Sequence, residues 1–235
     1  MSKCPFDSIN SDDQTAISSL LKESTAQLHI QAEHHPLQQK LIKGQATRSE
    51  YAAWLGQMLH IHTALDAALT TAAANTPSVN SLFQPHHRRR ELALADLAAL
   101  GINPSTIIPG PSTRAFAARM SEVGALAPTS LLGALYVIEG SSNGGVFISK
   151  AVERALDLAP GTATRAINPH AGSTRDNWGQ FKTTIDSLPF TASERAAIVE
   201  LAGETFKAIT SVMDDLASDG QPLLNVQTIA SPANH

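Results

Sequence analysis

Apolar residues recur three and four positions apart along most of the chain, and stretches that alternate apolar and polar residues are scarce. A spacing of three and four places side chains on one face of an α-helix, whereas alternation is typical of a half-buried strand. The pattern therefore predicts an all-α protein. Helices are expected over residues 13–33, from 47 through at least 65, and over 88–100, 113–123, 128–158, 177–187 and 191–218.

Local sequence signals mark several helix ends. Residues 47–50 and 191–194 both read Thr-x-x-Glu, the spacing at which a threonine and a glutamate cap each other's backbone N–H groups at a helix start. Pro36 disfavours helical backbone at the residue before it, so the first helix should end near His34-His35. Polar or proline-containing connections are expected at 75–85 and 160–175.

Composition fits one globular domain. The 235 residues are 43% hydrophobic and 16% charged, with no long polar tract, and one domain can hold a chain of this length. We expect a helical domain at 13–219 between flexible tails at 1–12 and 220–235.

Charge and cysteine content exclude several classes of function. The net charge is -4 and the basic run at 88–90 is short, which argues against a nucleic-acid partner. Cys4 is the single cysteine, so neither an intrachain disulfide nor a cysteine metal site is possible. No apolar run has the length of a signal peptide or approaches the roughly 20 residues of a membrane span, so we expect a cytoplasmic protein without a membrane partner.

His29 is the first candidate for chemistry. At 100° per residue it lies about 80° round the first predicted helix from Leu21, on the shoulder of the apolar stripe. Lys22 lies on the same side roughly 10 Å away, and Glu33 follows one turn later. This row suits haem, whose iron takes an imidazole and whose propionates attract cations. A lone histidine in such a position is, however, more often a packing residue.

The second candidate is the segment 139–145, Glu-Gly-Ser-Ser-Asn-Gly-Gly, inside a strongly apolar stretch. Each interior glycine costs a helix about 1 kcal/mol relative to alanine, so three within six residues need a reason. Close approach of the backbone to a planar ligand is one reason. A turn between two helices explains the same residues equally well.

Other sites fit the sequence less well. Residues 135–138 could form a strand before a phosphate-binding loop, but the spacing matches neither the dinucleotide fingerprint nor the P-loop. The histidine pairs at 34–35 and 86–87 are adjacent and cannot converge on a metal by themselves. The sequence has no Glu-x-x-His and no His-Glu-x-x-His, which argues against a carboxylate di-metal bundle and a zinc protease.

Several segments, in order along the chain, resemble the haem oxygenases, particularly the bacterial branch that supplies biliverdin to phytochromes. They are residues 21–25, 28–33, 43–48, 59–66, 135–141 with 144–145, and the final helices at 178–216. The resemblance covers roughly residues 15–218. It implies a single-domain, multi-helical bundle with haem between a proximal and a distal helix.

The resemblance also implies roles for individual residues. His29 matches the axial ligand of the haem iron. The residues that it implies on the distal, catalytic side are Gly140, Ser141, Asn143, Gly144 and His62. Those that it implies as haem contacts are Lys22, Glu33, Gly145, Phe181 and Lys182.

This chain departs from the family pattern on the distal side. Ser141 stands where better-known members have an aspartate that orders water, and a hydroxyl cannot supply the same charge. His62 replaces a tyrosine, and Val137 replaces an arginine. Among the propionate-binding cations, Ala26 does not match a second lysine and Lys182 stands where an arginine is expected.

The activity that the resemblance implies is haem degradation. Haem b would be both cofactor and substrate, and O₂ with reducing equivalents would convert it to biliverdin, Fe(II) and CO. Electrons would come from a separate reductase or ferredoxin, and a bilin-binding phytochrome is a further partner that the resemblance allows. Two alternatives remain open: a non-catalytic haem binder or sensor, and a thiaminase-like enzyme of the same architecture, for which Cys4 is a poorly placed nucleophile.

Overall fold

The computed structural model describes residues 15–217, and over this range the chain is helical and contains no strand. The α-helices are α1 (Ile17–His34), α2 (Pro36–Ile42), α3 (Arg48–Ala73), α4 (Pro77–Leu82), α5 (Arg90–Ala99), α6 (Pro111–Leu126), α7 (Leu131–Ala155), α8 (Thr174–Ser187) and α9 (Ala192–Ala217). The predicted all-α, single-domain fold is confirmed. Cys4 and both predicted tails, 1–12 and 220–235, lie outside the described residues.

Helix starts that the sequence predicted from caps are present. Thr47 Oγ1 accepts from the Glu50 N–H at 3.2 Å, and the Glu50 carboxylate accepts from the Thr47 N–H at 2.8 Å. Thr191 and Glu194 make the same pair of bonds at the start of α9. Each box satisfies N–H groups that the first helical turn leaves without partners.

Two long helices, α7 and α9, form the centre of the fold. They pack along each other, α1 packs along α9, and α3 packs along α6 and α5. The α7–α9 approach depends on Gly133, where an added Cβ would lie 2.0 Å from the Ile198 carbonyl oxygen. A side chain there would separate the two backbones.

The helix predicted over 128–158 is confirmed: α7 runs unbroken through the glycines from Leu131 to Ala155, so the alternative of a turn at 139–145 is wrong. Two other boundaries need correction. The sequence does not predict the short helices α2 and α4, of which α4 occupies the connection expected at 75–85; each begins with a proline at its first position. α8 begins at Thr174, within the stretch predicted as loop.

The segment Pro128–Ala155 is long and apolar enough to cross a membrane by length and composition alone. In this fold 61% of its most apolar window is buried, as in the core helix of a globular protein. Its apolar character is therefore explained by packing against α9 and α3.

Candidate functional site

The predicted iron ligand stands on the outer face of α1. The His29 side chain is 56% exposed, its ring meets Phe206 of α9 edge to face at a centroid distance of 5.7 Å, and Nδ1 lies 3.7 Å from a Glu33 carboxylate oxygen. Phe206 fixes the ring from one side and Glu33 from another. The imidazole is therefore held by its surroundings yet open to a ligand.

The predicted distal glycines lie on an uncovered stretch of α7. At 100° per residue, positions 140, 144 and 147 share one narrow face of the helix. Gly140 is half-buried, Gly144 is exposed with nothing within 4 Å of an added Cβ, and Phe147 is 73% exposed. This middle part of α7 offers bare backbone beside an exposed aromatic ring.

Both ends of the same α7 face are covered by elements that adjoin α1. Gly133 packs on α9, and Ala151 meets the turn after α2, where an added Cβ on Gly44 would lie 2.9 Å from the Ala151 oxygen. α9 also packs on α1, where a Cβ on Gly203 would lie 3.5 Å from Leu28 Cδ1. Since α9 packs along both α1 and α7, we infer that the exposed face of α1 and the uncovered middle of α7 border one surface, here named the α1–α7 groove.

Two exposed apolar side chains that the sequence did not single out stand beside this groove. Ile30 follows His29 on α1 and is 44% exposed, and Phe147 follows the glycines on α7. Large apolar groups exposed near one another mark binding surfaces more often than single ones do. Helical periodicity could not have found them, because it marks apolar residues only as core.

The predicted polar residues of the distal segment bond their own helix. Ser141 is exposed, and its hydroxyl donates to the Ile138 carbonyl at 2.7 Å. Asn143 is half-buried, and its amide donates to the Gly140 carbonyl at 2.9 Å. Each keeps an oxygen that can accept a hydrogen bond, and neither carries a charge.

The predicted haem contacts separate into two groups. Lys22 is exposed on α1, and Lys182 is partly exposed on α8 with its ammonium 5.7 Å from the centre of the Trp178 ring. Phe181 is buried and stacks on Trp178, and Trp178 lies 3.3 Å from where a Gly140 Cβ would be. Phe181 therefore supports the groove from within the core.

Gly145 serves packing on the opposite side of α7. It is buried, and an added Cβ would lie 2.0 Å from the Ile167 carbonyl oxygen. The two adjacent glycines therefore have different roles. Gly144 faces the groove, and Gly145 lets the segment that contains Ile167 lie against α7. Gly145 does not face the groove, so the expectation of a direct haem contact at this glycine loses its geometric basis.

His62 is buried inside the bundle at 4% exposure, on α3. Burial, with a smaller contribution from the positive charge of Arg89, lowers the pKa of this imidazole to about 3. His62 is consequently neutral at physiological pH.

A buried charged cluster that the sequence did not predict lies on the back of α7. Glu139 is 1% exposed and Arg89 2% exposed; Arg89 Nη2 lies 3.1 Å from Glu139 Oε2 and donates to Ser142 Oγ at 2.6 Å. His170 Nε2 lies 2.5 Å from the other carboxylate oxygen. Asp66 accepts from the Arg89 backbone N–H at 3.1 Å.

The charges within this cluster stabilise one another. Burial alone would raise the pKa of the Glu139 carboxyl, but the hydrogen bond with His170 and the charge of Arg89 together lower it to about 2. Burial lowers the pKa of Arg89, while Glu139 and Asp66 oppose that effect. Glu139 and Arg89 thus form a buried ion pair.

Two other clefts contain none of the predicted site residues. One, of about 660 Å³, lies between α3 and α6, and the other, of about 270 Å³, lies between α6 and α9. Alanine and threonine side chains form much of the larger cleft, and these side chains do not indicate a particular class of ligand.

Comparison with known families decides what kind of protein has this groove. The family model described as heme oxygenase matches residues 15–215. The chain belongs to the haem oxygenase family. The enzyme class and family predicted from the sequence are thereby confirmed.

Relatives of the haem oxygenase family extend the match. Human heme oxygenase 1 is 26% identical over 206 residues, which cover 85% of this chain and 71% of the human protein. The crystal structure of heme oxygenase-2 from Synechocystis sp. PCC 6803, in complex with heme and NO, is 26% identical with a TM-score of 0.80 and covers 86% of this chain and 85% of its own. Heme oxygenase from Leptospira interrogans, at 23% identity and a TM-score of 0.78, covers 84% and 98% and shares the fold.

Proposed function

We propose that this haem oxygenase holds haem b in the α1–α7 groove and uses O₂ and external electrons to convert it to biliverdin, Fe(II) and CO. The observation that carries the proposal is the exposed His29 imidazole on one wall, opposite bare glycine backbone on the other. A flat metal-containing ligand needs both features at once.

The residues of the groove fit haem in shape and in charge. The bare backbone at Gly144 admits a flat ring without contact from a Cβ. Ile30 and Phe147 offer apolar surface to the macrocycle, and Lys22 and Lys182 offer cations to its propionates. His29 offers an imidazole, the side chain by which many proteins hold haem iron.

Bound haem would supply the redox chemistry by which O₂ attacks the haem ring itself. The protein would supply position and control of water. His29 would hold the metal, and the contacts with Phe206 and Glu33 would limit rotation of its imidazole. Gly140 and Gly144 would let the helix backbone approach the haem closely, which would limit the room for water there.

The polar groups of the distal side act without a local acid. Ser141 and Asn143 bond their own helix and can each accept a further hydrogen bond, so they can orient water but not ionise. His62 is neutral and buried on α3 within the electrostatic range of Arg89, and we propose that it keeps a distal water in place.

Electrons would come from a separate reductase or ferredoxin, because the sequence has no flavin or nicotinamide motif. A bilin-binding phytochrome is the proposed consumer of the product. Both partners follow from the chemistry of the reaction, in which haem degradation needs several electrons and releases an open-chain tetrapyrrole.

Titration of the purified protein with haemin tests the assignment. Wild type should develop a Soret band, and His29→Ala should weaken haemin binding by about 100-fold or abolish the band, while unfolding free energy changes by less than about 0.5 kcal/mol because the side chain is largely exposed. His34→Ala, at an exposed histidine five residues further along the same helix, is the matched control. Equal Soret bands in His29→Ala and wild type would contradict the axial role.

Ascorbate added in air then separates catalysis from mere binding. Decay of the Soret band with growth of a biliverdin band supports the oxygenase. A stable oxy or ferric spectrum would instead support the non-catalytic haem binder, which the uncharged Ser141 makes the second candidate.

A further inference from the structure

The buried cluster behind the distal glycines joins three separate parts of the chain. Glu139 and Ser142 belong to α7, Arg89 immediately precedes α5, and His170 lies before α8. The Arg89 guanidinium contacts both α7 residues, and His170 contacts only the carboxylate. Glu139 is thus the residue of α7 that bonds both to the residue before α5 and to the segment before α8.

The cluster and the groove lie on opposite sides of the same helical turn. At 100° per residue, Glu139 points about 140° away from Gly144, and Ser142 about 160° away. The Cα atoms of an α-helix lie on a cylinder of only about 2.3 Å radius. A charge or a displacement at Glu139 is therefore felt one helix thickness away, at Gly140 and Gly144.

We propose that Glu139 is a positioning residue for the haem site: it fixes the Gly140–Gly144 backbone against α5 and the segment before α8 and sets the electrostatic field there. This inference rests on the proposed function. It assigns the buried carboxylate a role that the uncharged Ser141 does not supply.

The glycine segment needs such a clamp because it is intrinsically the weakest part of α7. Each glycine costs the helix about 1 kcal/mol, and Gly144 makes no packing contact that could offset this cost. Buried ion pairs add little net stability compared with apolar groups of similar volume. Their directional bonds, however, fix where a helix lies.

Other charged and titratable groups around Glu139 are held in place as well. His87 is buried with a pKa lowered by burial to about 4, His62 is neutral, and Asp66 caps the backbone of Arg89. His86, which is exposed, meets the His170 ring edge to face at 5.5 Å and forms the solvent end of the cluster. Glu139 is the carboxylate that compensates the Arg89 guanidinium directly.

The test compares Glu139→Gln with Glu153→Gln. Glu153 is a matched control because it also ties α7 to a following loop, accepting from the Gly161 N–H at 2.9 Å and from the Thr164 hydroxyl at 2.5 Å. It lies fourteen residues further on, about 21 Å along the helix.

Two readouts are measured for each variant. Hydrogen exchange of the haem-free protein should accelerate about tenfold at amides 140–147 in Glu139→Gln and stay unchanged there in Glu153→Gln. In the haemin complex, the midpoint of the pH-dependent change in the absorption spectrum should fall by about half a unit or more in Glu139→Gln. The reason is that the uncompensated positive charge of Arg89 favours the deprotonated form of the group that titrates at the haem. A purely structural role would not move this midpoint.

Milder variants keep the test decisive if Glu139→Gln does not fold. Glu139→Asp keeps the charge and should restore the wild-type midpoint, and Ser142→Ala removes only one acceptor of Arg89. A Glu139→Gln midpoint equal to that of wild type would overturn the proposal; if that variant does not fold, a Glu139→Asp midpoint that differs from wild type by about half a unit or more would do so. If wild type takes up no haemin, the proposed function fails while the exchange experiment still tests the clamp.

Discussion

Alanine at position 144 should stabilise the haem-free protein while impairing its haem chemistry. Gly144 lies inside α7 with helical backbone, and an added Cβ would meet nothing within 4 Å. Alanine is therefore tolerated sterically when the groove is empty. Once a ligand lies against the helix, the same methyl group occupies the ligand's space.

The size of the first effect follows from helix propensity. Gly→Ala within an unstrained helix is worth about 0.5–1 kcal/mol, which for a domain of this size raises Tm by about 1–4 °C. Gly145→Ala is the control at the neighbouring position and should lower the free energy of unfolding. Its Cβ would lie 2.0 Å from the Ile167 oxygen, whereas ordinary contacts are 3.4–4 Å. Overpacking of this kind costs about 1–3 kcal/mol or more.

Urea unfolding and haemin titration of the same preparations measure both effects. The haem-free Gly144→Ala protein should unfold at higher urea than wild type, and Gly145→Ala at lower urea. Haemin affinity and biliverdin yield should fall in Gly144→Ala although its fold is more stable.

Either of two results would refute this reasoning. If Gly144→Ala destabilises the haem-free protein as much as Gly145→Ala does, the helix at 144 is not free of contacts. If it stabilises the protein and leaves haemin affinity and turnover unchanged, then Gly144 does not face a ligand and the groove is wrongly placed.

Two further predictions concern stability. The pKa of His62 is about 3 in the folded protein and its ordinary value is 6.5, so between these values only the unfolded chain takes up a proton at this residue. The free energy of unfolding should therefore drop by up to about 1.4 kcal/mol per pH unit as the pH falls from 6.5 toward 4. His62→Gln should remove this one-proton slope in urea titrations of the haem-free protein at pH 7, 6 and 5; an unchanged slope would show that His62 is protonated in the fold. Thr47→Ala should cost about 1 kcal/mol by removing the α3 cap, as a lower thermal midpoint would report, and an unchanged midpoint would mean that the box is not formed.

The helical architecture could be predicted because its signals are local. Periodicity identifies a buried stripe within a few turns, and each Thr-x-x-Glu cap needs only four consecutive residues. The candidate ligand His29 was also recognisable, since its position on the shoulder of α1 follows from helix geometry. Resemblance to a known family then connected it with the glycine segment far along the chain.

Periodicity predicts one helix over 128–158, but it does not by itself exclude a turn at residues 139–145. Local propensity cannot distinguish a glycine turn from a glycine-bearing helix. Backbone contacts with distant segments decide between them: Ile198 packs against Gly133, and Ile167 packs against Gly145. Tertiary packing overrides the weak helix propensity of these residues.

The buried Arg89–Glu139 pair shows the same limit more sharply. Three consecutive arginines at 88–90 are indistinguishable by composition. Arg89 is the one whose guanidinium meets α7, where its partner Glu139 lies fifty residues away along the chain. Only the path of the chain decides which arginine is buried.

The sequence by itself determined the helices, their caps, the absence of a disulfide and, through its motifs, the family and the candidate iron ligand. Tertiary structure alone decided which glycines face the groove, which ones serve packing, and where the buried Arg89–Glu139 ion pair lies. The physical reason is range: propensity and capping act within a few residues, whereas burial and charge compensation depend on which distant segments the fold brings together.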